Sequence, residues 1–247
     1  MEERFEPGSR VAENAAMTDW ICMVTRLDTW SLIHAFVMLA CTAYVLIERS
    51  MPLAAAAAAL SFSCFIFFMR GEWTPSGHFG RGNAVTALRL GGCLLLALVA
   101  ENIEPWLVAL VGGTILAADG LDGFLARRDN HASLFGARFD METDAFFILV
   151  LSMLAIVLDR LGIWVIAAGL LRYVYVAASP LVPATSTKNV RSVRARIMYV
   201  VTAICLLSAF LPLFPITRPL AMMGTLALTV SFAIDFAAAF TRRRRNP

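Results

Sequence analysis

The sequence predicts an all-α fold, a polytopic bundle of eight membrane helices. Three observations predict it. Hydrophobic residues make up 59% of the 247-residue chain and only 16% of residues are charged, far less charged surface than a soluble domain of this length carries. Apolar runs recur along the whole chain, and several approach the roughly 20 residues that cross a bilayer as a helix. Prolines fall between these runs, at Pro52, Pro105, Pro180 and Pro212–Pro215, where a fixed φ and a missing N–H suit the ends of elements.

The elements follow in order. Residues 1–28 are polar and mixed in charge, with Glu2, Glu3, Glu6 and Glu13 set against Arg4, Arg10 and Arg26. They lack the basic start and short apolar core of a secretory signal. Trp20–Val24 suits an interfacial helix, and a loose tail fits these residues equally well. Apolar spans follow at 29–47, 53–69, 83–101, 105–126, 140–160, 162–178, 194–213 and 217–240. The alanine run at 54–59 permits close helix packing. A basic tail, 241–247, ends the chain. Cys22, Cys41, Cys64, Cys93 and Cys205 are scattered singly. They read as small hydrophobes, and no disulfide framework is implied.

Loop charge sets the orientation. Eight spans put both termini on one side of the membrane. With the termini inside, the inside loops hold thirteen basic residues: Arg70, Arg81, Arg127, Arg128, Arg138, Lys188, Arg191, Arg194, Arg196 and Arg242 to Arg245. The outside loops hold three, Arg49, Arg160 and Arg218. That asymmetry is a positive-inside signal, so both termini are expected in the cytoplasm. No nucleic-acid partner is expected. The terminal arginines serve topology or anionic headgroups.

One stretch stands apart. Residues 119–144, DGLDGFLARRDNHASLFGARFDMETD, carry six carboxylates between two apolar segments. Asp119 and Asp122 are spaced i, i+3, and Asp140 and Asp144 are spaced i, i+4, so on helices each pair projects from one face. Side by side, the two helices would bring four negative charges together near hydrocarbon, which is costly unless cations balance them. Oxygen ligands suit hard divalent ions such as Mg²⁺ or Mn²⁺, and paired ions are a device of phosphoryl chemistry. Gly123 and Gly136 lack side-chain bulk and so admit a substrate or a neighbouring helix. Ala126 is small and shares the face of Asp119 and Asp122. Arg127 offers a fork of donors for a phosphate. Glu142 points away from Asp140 and Asp144 and stands outside this set, as does Asp129.

These residues read D-x₂-D-G-x₂-A-R-x₈-G-x₃-D-x₃-D, through Asp119, Asp122, Gly123, Ala126, Arg127, Gly136, Asp140 and Asp144. The pattern resembles the signature of the CDP-alcohol phosphatidyltransferases. Upstream, Asn83-x₂-Thr86-x₂-Arg89 is similar to the motif that often opens that family's first core helix. The resemblance implies a six-helix core over 83–240, with the spans of 29–70 as two additional helices. It implies transfer of a phosphatidyl group from CDP-diacylglycerol to a small alcohol, with release of CMP. Asp119, Asp122, Asp140 and Asp144 would hold two divalent ions, with Asp144 also the general base. Asn83, Thr86, Gly123, Ala126, Arg127 and Gly136 would lie along the CDP moiety. It further implies a homodimer, and an integral protein of a bacterial inner membrane with its active site facing the cytoplasm.

Other residues are weaker candidates. Arg89 and Arg172 lie within apolar spans, where a charge is either functional or paired. Arg172 suits an acceptor or lipid phosphate, or an ion pair with a residue such as Asp235. Lys188, Arg191, Arg194 and Arg196 form a basic cluster entering the seventh span. With Arg138 they suit a phosphorylated acceptor or act as ordinary topology anchors. His131 reads as a loop residue, and His34 and His78 have no informative context. Three other functions compete. A CDP-amino alcohol could donate to diacylglycerol. A prenyl-transferring enzyme would show adjacent D-D-x-x-D aspartates, which are missing here. A divalent-cation transporter would place its carboxylates nearer the midplane.

Overall fold

The computed structural model describes residues 7–128, 133–181, 193–212 and 216–243. Among them are eight α-helices and no strand: α1 (Pro7–Glu48), α2 (Pro52–Phe68), α3 (Arg81–Leu98), α4 (Pro105–Arg128), α5 (Leu134–Val157), α6 (Ile166–Ala178), α7 (Val193–Ser208) and α8 (Thr217–Arg243). Each expected span falls on one helix, and at three of the boundaries that differ the local reason is visible. The first helix starts at Pro7, a residue preorganised for a first turn, and runs unbroken to Glu48, so the described residues before 29 are continuous with the first span. The fifth helix starts at Leu134 rather than near 140, because Ser133 caps it: the Ser133 Oγ accepts from the Gly136 N–H at 3.0 Å and donates to the Trp73 carbonyl at 2.7 Å. Asp140 and Asp144 therefore lie well inside the helix. The seventh helix stops at Ser208, and Ala209 and Phe210 close it with turn hydrogen bonds.

Hydrophobic side chains cover both the inside and the outside of the bundle. Trp20–Glu48 and Thr217–Ile234 are long and apolar enough to cross a membrane, and Pro52–Phe68, Pro105–Gly120 and Ile163–Ala178 are apolar but shorter. Ile33, Phe36, Leu60, Phe67, Leu88, Leu95 and Leu226 are each more than half exposed. Water penalises such an exterior and lipid does not.

The central element is α5, in which every residue from Phe146 to Ile156 is buried. Helices α1, α3, α6 and α7 surround it, α3 packs on α4, and α7 packs on α8. Gly169 lets α6 approach, since a Cβ there would lie 2.8 Å from the Leu149 Cα.

Helix α1 runs parallel to α5 and is tied to it at both ends. Arg138 pairs with Asp28 at 2.5 Å, and Arg49 pairs with Asp159 at 3.2 Å. Arg49 and Asp159 have φ of 56° and 52°, the left-handed conformation that ends helices. Twenty-one residues separate the two ties on each helix, about 32 Å at roughly 1.5 Å per residue. That length matches the hydrocarbon core of a bilayer.

Between the ties the contact is aromatic and polar. Trp30 of α1 stacks on Phe65 of α2, with ring centroids 3.9 Å apart, and Phe65 stacks on Phe135 of α5. His34, fully buried, shares a hydrogen bond with the Ser61 Oγ at 2.8 Å and stacks on Trp30. One turn below Arg138, the Glu142 carboxylate takes a hydrogen bond from the Ser31 Oγ at 3.0 Å and one from the Arg172 Nη2 at 2.6 Å. Glu142 does point away from Asp140 and Asp144, but into α1 and α6 rather than into solvent. The ion-pair reading of Arg172 therefore has Glu142 as its partner, and the Asp235 side chain lies outside the described surroundings.

This buried pair generates a prediction. Glu142→Ala strands the Arg172 guanidinium and should cost about 3–5 kcal/mol, whereas Ser31→Ala removes one hydrogen bond and should cost about 1 kcal/mol. Thermal unfolding in detergent at a fixed scan rate should show the larger drop for Glu142→Ala, and equal drops would contradict this account of the pair.

Candidate active site

Four helices bring the site together. Helix α3 supplies Asn83, Thr86 and Arg89, α4 supplies Asp119 near its C-terminal end, and α5 supplies Gly136, Asp140 and Asp144. Helix α7 reaches the site through Arg196. One carboxylate oxygen each of Asp119, Asp140 and Asp144 lie within 4.8 Å of one another. Asp119 and Asp144 are buried, and the Asp140 side chain is 18% exposed, so the cluster opens on the Asp140 side.

The charge is balanced by Arg89. Its side chain is 1% exposed, and its guanidinium lies 2.8 Å from Asp119, 2.9 Å from Asp140 and 2.6 Å from Asp144. Arg196, which is half exposed, lies 3.6 Å from the second oxygen of Asp119. Three converging carboxylates against one sealed guanidinium leave the centre short of positive charge. That shortfall, with an all-oxygen donor set, fits a hard divalent cation.

The upstream motif does two jobs. Both N–H groups of the Asn83 amide are taken, by the carbonyls of Phe79 at 2.6 Å and Trp73 at 3.1 Å. This fixes the loop before α3 onto the site. Gly136 is small because of this amide: a Cβ there would lie 2.7 Å from the Asn83 Oδ1. The room it leaves is filled by a neighbouring helix. Thr86 is buried, and its hydroxyl donates to the Gly82 carbonyl at 3.2 Å. Arg89, one turn further on, completes the motif by entering the carboxylate cluster.

The remaining expected residues divide. Asp122, Gly123, Ala126 and Arg127 lie on α4, and their side-chain surroundings are outside the described residues, so the cluster as described has three carboxylates. Arg138 is engaged with Asp28 and Arg172 with Glu142. Arg194 is exposed at the start of α7. Lys188, Arg191 and His131 lie outside the described residues. Sequence reasoning placed Arg89 at depth without its partners, and it missed Tyr199 altogether. Tyr199 stands one turn beyond Arg196 on α7, and its hydroxyl is buried without a hydrogen-bond partner among the described residues. The i, i+3 step from a basic residue at the cluster was the available signal.

The geometry agrees with an independent finding. A family model described as CDP-alcohol phosphatidyltransferase matches residues 81–233, from the first residue of α3 to within α8. No curated protein and no solved structure matches the chain. The match covers more than half of the sequence and contains every residue of the carboxylate cluster, and the chain belongs to the CDP-alcohol phosphatidyltransferase family of transferases.

Proposed function

We propose that this protein is a divalent-metal-dependent enzyme of phospholipid synthesis. It transfers a phosphatidyl group from CDP-diacylglycerol to the hydroxyl of a small, phosphorylated or unphosphorylated alcohol and releases CMP. The observation that carries this reading is the convergence of Asp119, Asp140 and Asp144 around Arg89 inside the family-matched region.

Asp119, Asp122, Asp140 and Asp144 would hold two Mg²⁺ or Mn²⁺ ions. Bound there, the ions would neutralise the donor diphosphate and the charge that builds on departing CMP. The residues do the rest by position. Asp144 takes the proton of the acceptor hydroxyl as that oxygen bonds to the lipid-side phosphorus. The bond from that phosphorus to the bridging oxygen breaks, and the electron pair leaves with CMP. Positioning and electrostatics dominate such a transfer. Gly123, Ala126 and Arg127 flank the CDP moiety. Asn83, Thr86 and Gly136 line it from the α3–α5 side, holding the wall against which it binds. Arg89 keeps the carboxylates together when the cations are absent.

Acceptor recognition falls to the entrance of α7, with Lys188, Arg191, Arg194 and Arg196. Arg138 and Arg172 fit this role less well, since each already has an acidic partner. Helices α3–α8, over 83–240, form the catalytic core, and α1–α2 brace it from outside the family-matched region. The enzyme works as a homodimer in a bacterial inner membrane with both termini and the site cytoplasmic. The site's depth supports this over a cation transporter, since Asp140 is only two residues from the Arg138–Asp28 tie that marks one end of the 21-residue register.

The test is release of CMP from CDP-diacylglycerol by purified protein in detergent, with Mg²⁺ or Mn²⁺ and a panel of acceptors. Metal-dependent release with one acceptor is expected. Release from a CDP-amino alcohol with diacylglycerol instead would reverse the direction, and no release from either donor would overturn the reading. Within it, Asp144→Asn should lower kcat by about 10²-fold or more, the range of a general base, with binding of CDP-diacylglycerol largely kept. Turnover at the wild-type rate would remove Asp144 from that role.

A further inference from the structure

We propose that the Tyr199 hydroxyl binds the lipid-side phosphate of the donor, an inference that rests on the CDP-diacylglycerol reading above. Tyr199 shares a face of α7 with Arg196, three residues earlier, and Arg196 reaches Asp119. The Tyr199 hydroxyl is buried, makes no hydrogen bond among the described residues, and lies in the field of Asp144, Arg89 and Asp119. A buried hydroxyl with no partner is costly to fold. The groups around it divide into carboxylates, which only accept, and a guanidinium, which only donates. The phenol can do either and is engaged with neither. It is held in reserve for something that enters the site.

What enters is indicated by the seam between α4 and α7. Beyond Tyr199 the two helices part around an apolar groove of about 630 Å³. Its walls include Trp106, Leu110 and Gly113 of α4 and Ile204, Leu207 and Leu211 of α7. From Asp119 to Trp106 is thirteen residues, about 20 Å of helix, more than half the hydrocarbon thickness of a bilayer. Along α7, Tyr199 lies between Arg196, which reaches the charged cluster, and Ile204, the first α7 residue of this groove. In a lipid diphosphate the group at that junction is the phosphate esterified to the lipid glycerol. A phenol suits it, with an O–H to donate to a phosphate oxygen and an apolar ring toward the hydrocarbon.

The test is Tyr199→Phe in the full chain, with affinities for CDP-diacylglycerol and for CMP measured in detergent with Mn²⁺, alongside thermal stability. The affinity for CDP-diacylglycerol should fall about ten-fold, the scale of one hydrogen bond to a charged group. Binding of CMP, which lacks the lipid-side phosphate, should not change. Stability should be unchanged or higher, since the hydroxyl has no partner in the fold. Unchanged CDP-diacylglycerol affinity would overturn the inference. So would an equal loss for CMP or a fall in thermal stability. If wild-type protein binds CMP but not CDP-diacylglycerol, the donor reading itself fails and this inference fails with it. If wild type binds the lipid and Tyr199→Phe binds it equally well, the inference alone fails.

Discussion

The structure turns on one arginine among three acids. Arg89 is sealed from solvent and within 2.9 Å of Asp119, Asp140 and Asp144, and those four groups come from three helices. In a low-dielectric interior neither side of this arrangement is tolerable alone. Removing the arginine leaves converging negative charge, and removing the acids leaves a stranded cation. The cluster therefore fixes how α3, α4 and α5 sit against one another. It also leaves an excess of carboxylate at the open side by Asp140, so the same interaction that closes the helices together asks for a further cation.

Helix α5 carries two ionic clusters on different faces. Asp140 and Asp144 face Arg89, while Glu142 faces Arg172 and Ser31. With buried partners on both sides, the rotation of α5 is determined near its N-terminal charges, and a turn of the helix about its axis would break one set or the other. Helix α1 takes part in the second set and runs along α5 in register from Asp28–Arg138 to Arg49–Asp159. This gives the residues ahead of the family-matched region a physical connection to the site: they hold the opposite side of the helix that carries two of its acids.

Much of this was legible in the sequence because it is local. The eight helices follow from apolar runs and prolines. The shared face of Asp140 and Asp144 follows from their i, i+4 spacing, before any tertiary contact is known, and Asp119 joins them from α4. What escaped depends on partners remote in sequence. The spacing showed Glu142 turned away from Asp140, but not that Arg172 and Ser31 would meet it there. Arg138 read as a candidate phosphate ligand or a topology anchor, and Asp28, 110 residues earlier, could not be placed beside it. Gly136 read as room for a substrate or a neighbouring helix, and only the fold shows that its neighbour is Asn83 of α3. Tyr199 is one aromatic among many in an apolar helix, and only the fold shows that its hydroxyl meets no partner among the described residues. The start of α1 escaped for the opposite reason: its polar composition argued against a membrane span, and a helix that extends past the hydrocarbon needs no apolar face there.

The central claim is that the acids around Arg89 form a cation site. The most direct measurement is titration of purified, metal-stripped protein with Mn²⁺ in detergent, by calorimetry or by the loss of free Mn²⁺ signal in electron paramagnetic resonance. The account predicts saturable binding of two ions per chain and a large loss of that binding in Asp140→Asn. Absence of saturable binding, or binding that Asp140→Asn leaves unchanged, would contradict it.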